Sequence, residues 1–172
     1  RRLFDIVVND GSDDSVTARA EVSVASVDDD PILDLDASGA GNDFSTSFTE
    51  GAGAVAVTDT DVSVTDTDSA NVSRATFTLT NRKDGDVLAA GTLPTGITAG
   101  TSQDATTLTL TLSGVASKAD YETAIEAVTF ENTSGDPNTE DRTVQVVVRN
   151  ESGNRDSNTT TSTISVTATN DA

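Results

Sequence analysis

The sequence predicts an all-β fold, an antiparallel sandwich, and three observations carry that reading. Apolar residues alternate with Thr and Ser at a period of two, clusters of turn-forming residues separate the alternating segments, and Thr and Val, which suit a pleated backbone better than a helix, dominate the chain. The alternation is clearest where Phe77 and Leu79 stand between Thr76, Thr78 and Thr80. It recurs where Leu108, Leu110 and Leu112 stand between Thr107, Thr109 and Thr111.

From the N-terminus, Phe4-Asp5-Ile6-Val7-Val8 and Val22-Ser23-Val24 read as strands around an Asn9-Asp10-Gly11-Ser12 turn. The far end of the chain repeats them. Val144-Gln145-Val146-Val147-Val148 followed by Arg149-Asn150-Glu151-Ser152 parallels the first strand and its turn, Ile164-Ser165-Val166 parallels the second, and Asn170-Asp171 parallels Asp28-Asp29. The period is about 140 residues, with a small insertion in the second hairpin loop. Residues 1–30 thus read as the last two strands of one module and residues 31–172 as a nearly complete next module, with the boundary near Pro31. The alternative is that both segments are equivalent hairpins of one domain. Between them, Asp84-Gly85-Asp86, Leu93-Pro94-Thr95-Gly96 and Gly135-Asp136-Pro137-Asn138 are turn-forming, and around seven short strands result. Such a pattern suits a sandwich of immunoglobulin or cadherin type. One segment departs from it. Tyr121, Ala124, Ile125 and Val128 fall at helical spacing behind Ser117, a residue suited to cap a helix with Asp120 at its third position. A single short crossover helix is expected there, with Tyr121 as a core plug.

Composition narrows the function. The 172 residues include 29 acidic and 10 basic side chains, for a net charge of −19 that repels nucleic acid and anionic membranes and makes cations the expected partners. There is no Cys and no His, so disulfides, thiolate zinc sites and thiol or imidazole catalysis are excluded. With five Phe, one Tyr and no Trp or Met, the core is expected to be thin. No apolar run is long enough for a secretion signal or membrane span, so no membrane insertion is expected. No catalytic residue is assigned, and the chain is not expected to be an enzyme: there is no aromatic subsite or Gly-rich phosphate loop, and the mixed-charge Arg82-Lys83-Asp84-Gly85-Asp86 reads as a hairpin tip.

The acids bunch at Asp28-Asp29-Asp30, Asp34-Leu35-Asp36, Glu50, Asp59-Thr60-Asp61, Asp66-Thr67-Asp68 and Asn170-Asp171, several of them beside the inferred module boundaries. In an extended Asp-x-Asp segment both carboxylates project to one side, so two oxygens can converge on one ion. Calcium, which accepts six to eight oxygens in flexible cages, suits such sets better than magnesium. Neither the EF-hand loop pattern nor the Gly-rich nonapeptide of β-rolls is present.

These residues resemble a known family, the bacterial cadherin-like tandem repeats of large RTX-type adhesins and related cell-surface proteins. The resemblance spans residues 31–172 through Leu33-Asp34-Leu35-Asp36, Phe48-Thr49-Glu50-Gly51, Asp59-Thr60-Asp61, Val64-Thr65-Asp66-Thr67-Asp68-Ser69, Leu93-Pro94-Thr95-Gly96-Ile97, Ala119-Asp120-Tyr121 and Val128-Thr129-Phe130-Glu131-Asn132-Thr133. The linker departs from it, reading Asp28-Asp29-Asp30-Pro31 where the family has Asn-Asp-Ala-Pro. The resemblance implies a secreted, extracellular calcium-binding spacer in cell adhesion, stiffened by Ca2+ at the junctions, with neighbouring modules of the same chain as partners. It implicates Asp28, Asp29, Glu50, Asp66 and Asp68 as ligands, Asn170 and Asp171 at the next junction, and Asp34, Asp36, Asp59 and Asp61 as further candidates. Two other functions are weighed: a Ca2+-dependent module binding sugar or peptide, and homotypic assembly in which residues 3–27 pair with another chain through their free edges.

Overall fold

The computed structural model describes residues 1–152 and 155–170. Strands β1 (Arg2–Ile6) and β2 (Ala18–Val22) form an isolated antiparallel hairpin. After the linker come β3 (Ile32–Asp34), β4 (Phe44–Thr49), β5 (Val55–Ala56), β6 (Ser63–Thr65), β7 (Asn71–Leu79), β8 (Asp86–Ala90), β9 (Thr98–Gln103) and β10 (Leu108–Ser117). Helix α1 (Lys118–Glu126) then leads into β11 (Val128–Asn132), β12 (Arg142–Asn150) and β13 (Thr160–Thr167).

The fold is an all-β sandwich. One layer is a six-stranded sheet in the order β4-β13-β12-β7-β10-β9, and the other is built from β5-β11-β8 with the β3-β6 pair beside it. Strict alternation produces the inner face of the large sheet: Ala75, Phe77 and Leu79 of β7, Leu110 and Leu112 of β10, and Val144, Val146 and Val148 of β12 are all at most 1% exposed. Phe48 of β4 meets Phe130 of β11 edge to face across the sandwich, with ring centroids 5.6 Å apart. Every strand pair is antiparallel except β13 with β4, which run parallel from Ser162↔Phe44 to Thr167↔Thr49. Parallel neighbours need a long crossover, and here nearly the whole module supplies it.

The helix forms where its spacing predicts. Ser117 Oγ accepts from Asp120 N and donates to the Asp120 carboxylate, closing the N-terminus, while Tyr121, Ala124 and Ile125 are buried. Val128 is buried too, but as the first residue of β11, because the helix ends at Glu126. Tyr121 plugs the core and donates its hydroxyl to the Gly114 carbonyl at 2.7 Å, and burial pushes the phenol up to about 12. The 82–86 tip is not merely a charged turn. Asp86 folds inward to the fully buried Arg142, Nε to Oδ2 at 2.7 Å, and takes Asn132 Nδ2 on its other oxygen at 2.7 Å. Arg142 also donates to the Asn138 and Glu140 carbonyls, so the buried pair is almost fully hydrogen-bonded.

The two hairpins share one register. Phe4↔Ala20 and Ile6↔Ala18 in β1-β2 correspond to Val144↔Ser162 and Val146↔Thr160 in β12-β13. Beyond the strands, Val8 N donates to Ser15 Oγ as Val148 N donates to Ser157 Oγ, and the bridge Asn9↔Asp14 matches Arg149↔Asp156. Their surroundings differ. Val144, Val146 and Val148 are fully buried, whereas Phe4, Ile6 and Val8 are 53%, 50% and 66% exposed.

Candidate functional site

The acids fall into three groups along the module. The first gathers where the linker meets the upper end of β12. Turns build it: Asp66 Oδ1 accepts from Asp68 N and Ser69 N, a tight side-chain cap and not the extended Asp-x-Asp expected. Lys118 of α1 locks that turn by donating to the Asp66 and Ser69 carbonyls. The linker then docks on it. Asp29 N donates to Asp68 Oδ2 at 2.9 Å, and Asp28 Oδ1 accepts from Ser152 Oγ at 2.8 Å. Because Ser152 spends its one proton on Asp28, Ser69 Oγ is the donor in the 2.6 Å contact between the two serines. At the centre lies Asn150, 1% exposed, whose Nδ2 has Asp28 Oδ2, Asp66 Oδ2 and the Asp29 carbonyl within 3.2 to 3.5 Å. Hydrogen bonds from Ser152 and then Asn150 hold the Asp28 carboxyl below its ordinary value. Arg155 stands nearby, 3.9 Å from Asp28 and 3.6 Å from Asp30.

The second group lies in the loops flanking β3 and β6. Asp36, Asp59 and Asp61, each half-buried, bring one carboxylate oxygen apiece within 4.8 Å of one another. The backbone holds them there. Ala37 N donates to Asp61 Oδ1, Gly39 N and Ser38 Oγ to Asp36 Oδ1, Thr60 N to Asp59 Oδ1, and Asp59 N bonds the Leu35 carbonyl. A Cβ on Gly39 would lie 2.7 Å from Asp36 Oδ2, so a glycine there leaves the carboxylate its room. Asp34 is not part of this set, and its Oδ1 accepts from Asp36 N.

Glu50 belongs to a third place. Its backbone N donates to the Thr167 carbonyl and its Oε2 accepts from Thr169 N at 2.8 Å, beyond the lower end of β13. With Arg142 opposite Ile164, that end lies roughly 35 Å of strand from Asn150. Glu50 therefore cannot share an ion with Asp28, Asp29, Asp66 and Asp68, and grouping them at one boundary is corrected. Glu50 lies instead on the side where the chain leaves through the exposed Asn170; Asp171 is outside the described residues.

The loop cluster fits a hard divalent cation by donor chemistry. In the loop cluster Oδ1 of each carboxylate is spent on the backbone while Oδ2 of Asp36, Asp59 and Asp61 takes no hydrogen bond, and no Lys or Arg pairs with any of the three among the described residues. An oxygen span of 4.8 Å is twice a calcium–oxygen distance of about 2.4 Å. At the linker the oxygens of Asp28, Asp66 and Asp29 converge on Asn150 Nδ2, an amide donor that occupies the centre, so a cation there would have to take that nitrogen's place. Sequence reasoning named the carboxylates but missed Asn150, Ser152 and Arg155; the repeat alignment of Asn150-Glu151-Ser152 with Asp10-Gly11-Ser12 was the available signal.

Fold and site together define an acid-rich β-sandwich with oxygen clusters in its loops and at its linker. Comparison of the chain with models of protein families, with curated proteins and with solved structures finds no match in any of the three. Among the described residues no helix is long and apolar enough to cross a membrane.

Proposed function

We propose that the chain is a piece of a tandem array of calcium-binding β-sandwich spacers from a long extracellular protein of the adhesin type. The observation that carries this reading is the shared register of β1-β2 and β12-β13, down to the serine hydroxyl that each loop turns back on its first strand. A hairpin with that register and an exposed apolar face has the form of the end of a preceding copy. The linker supports the mechanism: Asp28 and Asp29 dock on side chains of the following sandwich, so an ion held there with Asp66 fixes the angle between consecutive modules. The loop ion would staple β3 and β6, the smallest sheet of the sandwich. At a dissociation constant of about 10⁻⁴ M and about 10⁻² M calcium, one filled site stabilises the fold by roughly 2.7 kcal/mol.

The test is a thermal melt in calcium against one in EDTA, with bound ions mapped by terbium luminescence. A higher melting temperature in calcium is expected, and identical curves would refute the reading. A second reading, homotypic pairing, is favoured by the exposure of Leu3, Phe4 and Ile6 on an isolated two-stranded hairpin. Light scattering of the chain with and without residues 1–27 decides it: a dimer that disappears with the hairpin supports pairing, and a monomer in both cases removes it.

A further inference from the structure

The outer face of the six-stranded sheet carries a feature that neither calcium nor the array explains. Arg74 of β7 and Arg149 of β12 stand directly opposite one another in the sheet register, on the outward side of strands whose inward residues form the core. Like charges so placed repel. Asp156 neutralises one of them, taking Arg149 through Nε at 2.6 Å and Nη2 at 2.7 Å. Arg149, first by hydrogen bond, holds the Asp156 carboxyl below its ordinary value, and the nearby charge of Arg74 adds to the effect. Arg74 itself is exposed, feels Asp156 only at a distance, and makes no ion pair within 4.0 Å among the described residues. Two guanidiniums and one carboxylate leave this face positive in a chain of net charge −19.

The arginines rim a groove of about 270 Å³ floored by Thr76, Thr78, Gln145 and Val147. Its walls offer hydroxyl and amide groups that both donate and accept, beside a cation that only donates; the Asp156 carboxylate lines it too, with both oxygens held by Arg149. The corresponding hairpin β1-β2 keeps the same geometry without the positive charge: Asn9 occupies the place of Arg149 and donates to Asp14 at 2.6 Å. A cation at position 149 is therefore not demanded by the hairpin.

We propose that this groove binds a carboxylated sugar, a uronic or sialic type of residue, with its carboxylate on the Arg74 guanidinium and its hydroxyls on Thr76, Thr78 and Gln145. Arg recognises a carboxylate through two parallel N–H donors, which replaces the aromatic stacking that neutral sugars require and this face lacks. The volume admits one ring. The charge of the rest of the chain selects the ligand further, because a polyanion is repelled by the acidic loops whereas a single carboxylate meets the least opposition. This site uses no metal ligand of either acidic cluster, so it stands whether or not those clusters hold calcium.

The test is a two-dimensional ¹H–¹⁵N titration of the full chain in calcium buffer with glucuronate and N-acetylneuraminate, against glucose and acetate. Saturable shifts at the amides of Thr76, Thr78 and Gln145 are expected with at least one sugar acid, and none with glucose. Arg74→Gln, at an exposed position, should leave the melting temperature unchanged and weaken binding at least about tenfold. Arg149→Asn, which restores the pair seen in the other hairpin, provides a second variant that keeps Asp156 hydrogen-bonded and should also weaken binding. Absence of saturable shifts with either acid, equal binding of glucose, equal binding of acetate, or unchanged affinity in Arg74→Gln would each overturn the proposal.

Discussion

Single side chains hold this molecule together in ways their types do not advertise. Arg142 and Asp86 form a pair inaccessible to water, and the arginine spends its remaining donors on backbone carbonyls. Removing one partner strands a charge in the core. Arg142→Ala should therefore destabilise the fold by about 3–5 kcal/mol in urea denaturation, and replacing both residues with apolar ones should cost much less. Asp104 illustrates the opposite setting, an exposed turn. The backbone N–H groups of Thr106 and Thr107 and the Thr107 hydroxyl converge on its carboxylate and hold it down to about 2 from an ordinary 3.8. Its folded value lies below its unfolded one, so the turn's contribution is complete above the ordinary value and fades as the pH falls to about 2. Carbon-detected NMR titration of the Asp104 carboxyl should find a midpoint near 2, and a midpoint near 3.8 would mean that the three bonds do not form in solution.

At the scale of elements, the crossover from β10 through α1 organises much of the site. The register of β10 against β7 slips between Ser113 and Ala116, and Gly114 sits in that irregularity at φ 132°. A Cβ there would lie 2.0 Å from the Gly96 carbonyl oxygen, so the two backbones are closer than any side chain permits. Gly114→Ala should destabilise the sandwich by at least about 1–3 kcal/mol, read as a fall in the denaturation midpoint. It should also disturb the Tyr121 hydroxyl, which bonds the same residue. Helix α1 then supports both sides of its surroundings. Glu122 accepts from Val64 N on β6, and Lys118 clamps the Asp66 turn. Lys118→Met should leave the core largely intact while loosening the Asp66 turn and with it linker docking, which hydrogen exchange would register as faster exchange at Asp68 and Ser69 in the turn and at Asp29 in the linker.

For the whole molecule, the governing fact is a charge of −19 carried by the loops, the helix and the smaller sheets while the strands of the large sheet contain no acid. Self-repulsion alone would be relieved by any salt, since screening is non-specific. A built oxygen cluster responds to calcium at concentrations where monovalent salt of the same ionic strength does nothing. The expected outcome is a melting temperature raised by millimolar calcium well beyond the effect of sodium chloride. The double variant Asp59→Asn with Asp61→Asn should lose much of that gain without losing the fold in EDTA. If sodium matches calcium, repulsion is the whole effect.

What could be read without a structure was whatever depends on local periodicity. The alternation around Phe77 and Leu110, the Ser117 cap with Asp120, the burial of Tyr121 and the match between the chain ends all follow from spacing of two, of three or four, or of about 140 residues, and none needs a contact partner to be recognised. What only tertiary structure decided was which distant residues meet. Glu50 and Asp66 look alike in sequence, yet the direction of β4 beside β13 carries one to the far end from the other. Asp36, Asp59 and Asp61 converge because β3 and β6 pair, and Asp86 becomes a core residue because Arg142 lies across the fold from it. A carboxylate's role is set by the oxygens and cations within a few ångströms, and in a sheet protein those come from strands far apart in the chain.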